Sequence, residues 1–395
     1  MAFRVMLRPT YVFGEGSTKQ IGDLLKGLGC KKVMCVFDKG VESAKLPDPI
    51  LGYIKDAGID IATYNGIEAD PPDRVCEELA EKATEEKVDG FVAIGGGSTV
   101  DTVKAANLLV GNPGVPLANY HMNYGLGKDP GLPIITIPTT AGTGSELTPA
   151  AIITNTREGG ERKVGQKMSI FESATAAKYA LVDPLMTLNL PQKVAVATAM
   201  DALAHCIEAY TTPFANKFTD PLCVQGMNMI VEALPKILVT PSDIDARSDL
   251  ALAASIGGFC AANAFAHIPH AIGQGLQGRF HMDHGTGCAI GLEAGIEAIT
   301  NMLPEKVATI GEAFGVDVSG KSNEDAAAAV CEAITKFKKQ VGLPTLKDLG
   351  IAKEDLESAV PFILTESAYK RVAALSDEWP SGEQILDYLN RVYGD

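Results

Sequence analysis

Residues 90–98 read Gly90-Phe91-Val92-Ala93-Ile94-Gly95-Gly96-Gly97-Ser98, and residues 101–110 continue in a helical pattern. A short apolar run closed by glycines marks a strand buried on both faces, here feeding a helix. The same alternation extends in both directions. Upstream, residues 33–37 read as an apolar strand ending at Asp38, residues 46–57 as a helix and residues 59–64 as a strand. Residues 71–87 then read as a charged helix with Val75, Leu79 and Ala83 on one face. Downstream, residues 133–137 and 179–182 read as two more strands. Strand and helix alternating at this pace predict a parallel sheet covered by helices on both faces.

The texture changes after Asp183-Pro184. Pro191 suits the first turn of a helix running to about Tyr210. Residues 227–238, 246–264, 285–301, 304–314, 323–341 and 353–360 also read as helices, and strand-length runs of Val, Ile and Thr disappear. The expected organisation is an α/β domain over residues 1–188 and an all-helical domain over residues 189–395. A chain of 395 residues suits two domains at roughly 100–200 residues each. The cleft between two such domains is the default place for a ligand.

Composition narrows the function. The net charge is −15, and the basic residues are scattered, as in Lys31-Lys32 and Lys338-Lys339. Nucleic-acid binders need clustered Lys and Arg, so no nucleic-acid partner is expected. No run of about 18 apolar residues occurs and the first residues lack a signal-peptide core, so no membrane association is expected. Eight cysteines without a CxxC pair fit reduced thiols in the cytoplasm.

Gly95, Gly96 and Gly97 let the backbone approach a ligand without a Cβ in the way. With Ser98 they open a helix, whose N-terminal amides and dipole favour a phosphate. This is not the GxGxxG fingerprint, and a tight strand-to-helix turn is the plainer alternative. Residues 138–146, Pro138-Thr139-Thr140-Ala141-Gly142-Thr143-Gly144-Ser145-Glu146, crowd hydroxyls and small residues after the next strand. Thr139, Thr140 and Thr143 are candidate donors to a dinucleotide; the alternative is a polar surface loop. A carboxylate at Asp38 can accept from both ribose hydroxyls and repel a 2′-phosphate, favouring NAD over NADP. It can equally cap a helix. Asp101 and Lys104, one turn apart, are either part of this site or a surface pair.

Five of the six histidines fall between residues 205 and 284. Asp201 and His205 are one helical turn apart and share a face of an otherwise apolar helix. A carboxylate and an imidazole turned inward need a partner, because a lone buried charge is costly. His270 and His284 lie further along, and together the four residues form an oxygen/nitrogen set suited to Fe²⁺, Zn²⁺ or a similar ion. His267 and His281 stand close by, so chemistry alone leaves the choice of ligands open.

These segments together resemble the iron-containing alcohol dehydrogenases over nearly the whole chain. The resemblance rests on Gly95 to Ser98 with Asp101 and Lys104, on residues 138–146, on residues 200–210 (Met-Asp-Ala-Leu-Ala-His-Cys-Ile-Glu-Ala-Tyr) and on His270 through His284-Gly285. It implies a Rossmann-like dinucleotide-binding domain followed by an all-helical metal-binding domain, an architecture shared with dehydroquinate synthase. It implies Asp201, His205, His270 and His284 as metal ligands. It also implies cofactor contacts at Asp38, Gly97, Ser98, Thr139, Thr140 and Lys167. One position departs from the family: many relatives carry a relay histidine one turn beyond the third ligand, where this chain has Gln274. Gln is neither acid nor base at neutral pH. That leaves His267, or the cofactor ribose and water, to carry the proton.

The expected activity is reversible hydride transfer between NAD and a primary alcohol, diol or hydroxyacid. The expected cation is Fe²⁺, with Zn²⁺ as the other choice, and it polarises the substrate oxygen. The alternatives are a hydroxyacid–oxoacid transhydrogenase that keeps its nucleotide bound and a dehydroquinate synthase-like lyase. The resemblance further implies a homodimer or larger homo-oligomer.

Overall fold

The structure, a computed structural model, describes residues 3–158, 164–376 and 379–394. Two compact units form, one from Leu7–Thr140 and Gly144–Leu190, the other from Pro191 onward with Ala141–Thr143 and the residues up to Met6.

The first unit is built on eight strands among the described residues: β1 (Thr10–Phe13), β2 (Lys32–Val36), β3 (Asp60–Tyr64), β4 (Gly90–Gly95), β5 (Ile134–Pro138), β6 (Ala150–Thr154), β7 (Lys167–Phe171) and β8 (Tyr179–Val182). Six make one sheet in the order β1-β8-β5-β4-β2-β3. Every pairing in it is parallel. β4 and β5 are buried at every position, as the unbroken apolar runs require of central strands. Side chains alternate across β2. Met34 and Val36 join a core with Ala93, Val100 and Val103, while Val33 and Cys35 join the opposite core with Val92, Ile94 and Ile50.

From β2 the chain goes outward to β3, and from β4 it goes the other way to β5. The adjacent carboxyl ends of β2 and β4 therefore flank the switch point of the sheet, the ligand crevice of open α/β folds. Asp38 follows one of these ends and the glycine loop follows the other.

Three features of this unit differ from the sequence expectation. Strand β1 and the antiparallel pair β6–β7 were not anticipated. The helix after the glycines begins at Gly97, well before Asp101. Asp101 and Lys104 are not a surface pair. Lys104 is fully buried, and its ammonium donates to Ser145 O (2.6 Å), Ser145 Oγ (2.8 Å), Thr148 Oγ1 (3.2 Å) and Ala150 O (2.8 Å). Asp101 accepts from the Ser145 hydroxyl at 2.5 Å and from the Ile152 amide at 2.9 Å. Burial pushes the Lys104 ammonium down to about 8, with nearby Asp101 opposing. The pair thus ties the segment around residues 145–152 to the Gly97–Gly111 helix. Lys104→Met would leave Asp101 and these carbonyls facing no cation. It should lower unfolding free energy by about 3–5 kcal/mol in urea titration; a loss under about 1 kcal/mol would remove this role.

In the second unit, helices Gln192–Thr211, Asp220–Val239 and Ile244–Ala264 pack on one another. Asp220–Val239 is long and apolar enough to cross a bilayer by length and composition. Here one face of it packs inside the unit, burying Cys223, Gly226, Met227, Ile230, Ala233, Leu234 and Ile237. Glu232 and Lys236 pair at 2.7 Å on its exposed face. Helices Ile268–Phe280 and His284–Ile290 follow. The helix expected over 285–301 breaks at Gly291, where a Cβ would lie 2.9 Å from Pro269 Cα. Residues 353–359 form a 3₁₀ helix before a short α-helix at Val360–Thr365.

Candidate metal centre and nucleotide loop

The Gln192–Thr211 helix carries Asp201, His205 and Glu208 at one-turn spacing. Ile268–Phe280 supplies His270 near its start. His284 opens its own helix, fixed there by Asp283, whose carboxylate accepts from the Thr286 amide at 2.9 Å. Gly285 allows the approach: a Cβ there would stand 2.1 Å from Ala197 O and 3.1 Å from Asp201 Cβ.

The side chains converge. His270 Nε2 and His284 Nε2 lie 3.5 Å and 3.6 Å from Asp201 Oδ1. His205 Nε2 is 3.0 Å from His270 Nε2. Asp201 Oδ1 and His205 Nδ1 are buried with no hydrogen-bond partner. A carboxylate oxygen so placed among three imidazoles is short of a positive partner, and a divalent cation fits that lack. Burial pushes the Asp201 carboxyl up, but His205, His284 and His270 outweigh it and hold it below the usual carboxylate range. Burial takes His205 down to about 4, which leaves its ring neutral at pH 7, the state with a free lone pair.

Two residues here were not singled out from sequence. Glu208 is fully buried, and its Oε1 accepts from the amides of His267 (2.8 Å) and His270 (3.0 Å). Its Oε2 meets His270 Nδ1, the carboxylate–histidine arrangement that orients a metal-binding ring. Burial would raise Glu208, but His270 outweighs it and holds the carboxyl down to about 2. Cys288 is the other, one turn beyond His284, with Sγ 3.5 Å from His284 Nε2. The signal for both was the one-turn repeat, Asp201–His205–Glu208 and His284–Cys288.

His267 is the candidate proton carrier. It is fully buried, with Nε2 2.8 Å from Thr211 Oγ1 and its ring 5.2 Å from Trp379. Burial takes it down to about 4, with Glu208 opposing. Its Nδ1 has no hydrogen-bond partner. Gln274 is buried too, and its Oε1 has no partner.

In the other unit Gly96 is the N-cap of the Gly97–Gly111 helix, and no side chain caps its N-terminal amides. Gly96, Gly97 and Ser98 remain part-exposed while β4 before them is buried. A Cβ at Gly95 would stand 2.3 Å from Thr99 Oγ1, and one at Gly96 3.2 Å from Thr140 Cγ2. Uncapped amides behind a loop without side chains fit a pyrophosphate. The Thr139 amide donates to Gly95 O at 3.1 Å, which keeps the hydroxyl segment beside the glycines. Thr140 is part-exposed. Thr143 belongs with Ala141 and Gly142 to the helical unit.

Three sequence candidates make protein contacts of their own. Asp38 caps the Lys39–Ser43 helix, accepting from the Val41 amide at 2.8 Å through Oδ1. Asp101 spends both oxygens on Ser145 and Ile152. Lys167, on β7, pairs with Asp70 at 2.7 Å and donates to Thr154 Oγ1 at 2.9 Å.

A family model described as iron-containing alcohol dehydrogenase matches residues 9–184. A second, the C-terminal part of the Fe-containing alcohol dehydrogenase family, matches residues 195–390. The NAD-dependent methanol dehydrogenase of Bacillus methanolicus is 33% identical over 370 residues, covering 93% of this chain and 94% of that protein. The 1,3-propanediol dehydrogenase of Citrobacter freundii is 34% identical, covering 96% of this chain and 95% of its own. The solved alcohol dehydrogenase from Oenococcus oeni is similar with a TM-score of 0.90 and 29% identity, covering 99% of this chain and 100% of that one. On these matches along both halves, the chain belongs to the iron-containing alcohol dehydrogenase family.

Proposed function

We propose that the chain is an NAD-linked dehydrogenase of small primary alcohols, diols or hydroxyacids. Residues 1–188 hold the nucleotide and residues 189–395 hold a divalent cation, Fe²⁺ before Zn²⁺. Asp201, His205, His270 and His284 are the ligands of this reading. The observation that carries it is the buried Asp201 Oδ1, which has no hydrogen bond and lies 3.5 Å and 3.6 Å from the His270 and His284 rings. When bound, the cation supplies Lewis acidity at the substrate oxygen and NAD accepts the hydride.

This chain's residues do the positioning. The glycine loop and the helix start at Gly97 take the pyrophosphate, flanked by Ser98, Thr139 and Thr140, and Thr143 is a nucleotide donor of the helical unit. Asp101 and Lys104 hold the segment after that loop, and Lys167 acts from β7. Glu208 holds the His270 ring. Gln274 orients by hydrogen bonding and moves no proton. His267 is buried against Thr211 and Trp379, so the ribose of a bound nucleotide, with water, would offer the proton its route. Eight free cysteines, seven of them buried, support a reducing cytosolic setting for a homodimer or larger assembly.

Metal analysis coupled to a panel of primary alcohols, diols and hydroxyacids with NAD tests the reading. Net NADH formation with near-stoichiometric metal is expected. Oxidation of one substrate coupled only to reduction of another, with no free NADH, would move the assignment to a transhydrogenase.

Asp38 carries the coenzyme preference in this reading. Oδ1 is engaged with Val41, which leaves Oδ2 for the ribose hydroxyls. Glycine at a helix start costs only a few tenths of a kcal/mol, so Asp38→Gly should fold normally. The NAD/NADP ratio of kcat/KM should fall at least about tenfold, the equivalent of one lost interaction near 1.4 kcal/mol. An unchanged ratio would leave Asp38 as a cap alone.

A further inference from the structure

The metal cluster includes a sulfur. Cys288 lies one turn after His284 on the same face of the His284–Ile290 helix, and its side chain is fully buried. The donor atoms of Asp201, His270, His284 and Cys288 all lie within 4.8 Å of one another. His284 Nε2 is 3.5 Å from Cys288 Sγ and 3.6 Å from Asp201 Oδ1. Donors bonded to one ion at about 2.0–2.3 Å stand roughly 3–4 Å from their nearest neighbours, so these two spacings suit a shared cation. Packing sets the sulfur there. On the Ile268–Phe280 helix a Cβ at Gly273 would lie 2.6 Å from Cys288 Sγ and 2.7 Å from Cys288 N. Only a glycine lets the two helices approach closely enough for the thiol to reach the cluster.

We propose that Cys288 is a ligand, giving the centre oxygen, nitrogen and sulfur donors; the proposal rests on the metal reading above. His205, 3.0 Å from His270 Nε2, completes the set as a further nitrogen. As the sulfur–metal bond forms, the S–H bond breaks and its proton passes to solvent, with no change of oxidation state. A thiolate is the softest donor in the set, so it shifts the centre from Fe²⁺ toward Zn²⁺.

The test uses the full chain loaded with Co²⁺ and, separately, with Zn²⁺. Wild-type protein with one cobalt per chain should show an intense near-ultraviolet sulfur-to-cobalt charge-transfer band. Zinc X-ray absorption should show a sulfur neighbour at about 2.3 Å. Cys288→Ser should keep its cobalt, lose the band, and bind Zn²⁺ at least tenfold less selectively over Fe²⁺. Cobalt bound at one per chain without the band, or a band that survives in Cys288→Ser, overturns the proposal while the metal reading stands. A wild-type protein that takes up no metal overturns both. Should Cys288→Ser fail to fold, the wild-type zinc spectrum decides by itself, since a shell of only nitrogen and oxygen overturns the ligand.

Discussion

His270→Ala should abolish both metal retention and turnover. His270 is the ring at the middle of the cluster, 3.5 Å from Asp201 and 3.0 Å from His205. Removing a partner of a metal-binding ring typically costs 10–100-fold in affinity, and removing the ring itself should exceed about 100-fold. The substitution has a second effect. Glu208 is fully buried against His270, and without that ring its carboxylate loses its partner at about 3–5 kcal/mol. Loss of activity in His270→Ala could then reflect unfolding. His284→Ala separates the two, since its side chain is 30% exposed and Glu208 keeps His270. His284→Ala should melt near wild type yet lose metal and activity. Metal content by elemental analysis, read beside circular dichroism, gives the answer. Full metal and full turnover in both variants would sink the assignment.

Much of this arrangement was legible in the sequence, for physical reasons that also set the limit. The central strands read clearly because burial on both faces demands unbroken apolar runs, as in Phe91 to Ile94. Strand β1 did not: four residues between Pro9 and Gly14 are too few to show a period. β6 is Ala-Ala-Ile-Ile-Thr, whose side chains alternate in burial without alternating in polarity. The break at Gly291 was invisible because one glycine costs a helix only about 1 kcal/mol. What keeps a glycine there is Pro269, distant in sequence and close in space. Asp201, His205, His270 and His284 were legible as residue types that need partners, and the family resemblance chose among the histidines. Lys104 shows the opposite case. A lysine in a helix reads as solvated by default, and only the carbonyls of Ser145 and Ala150 reveal why it is buried. The one-turn repeat puts Glu208 on the face of Asp201 and His205, but only the fold shows that its two oxygens hold the His267 and His270 amides and the His270 ring.

Glu208 also yields the second large effect, and the conservative variant is the informative one. Oε1 accepts two backbone amides at the start of the His270 helix, and Oε2 accepts from His270 Nδ1. A carboxylate at Oε2 keeps the ring proton on Nδ1 and leaves Nε2 with its lone pair toward Asp201. In Glu208→Gln the amide oxygen still serves the two backbone donors. Its NH₂ group, however, faces Nδ1 as a donor, which moves the ring proton to Nε2. The ring is then in place in the wrong tautomer. Glu208→Gln should therefore melt close to wild type while metal affinity, measured by chelator competition, falls about 10–100-fold. Glu208→Ala should lose both, at about 1–3 kcal/mol of stability for each buried donor left without an acceptor. The contrast between the variants is the test, because a purely structural Glu208 would let glutamine restore metal binding along with stability. Wild-type affinity in Glu208→Gln would show that the carboxylate caps a helix and does not set the state of His270.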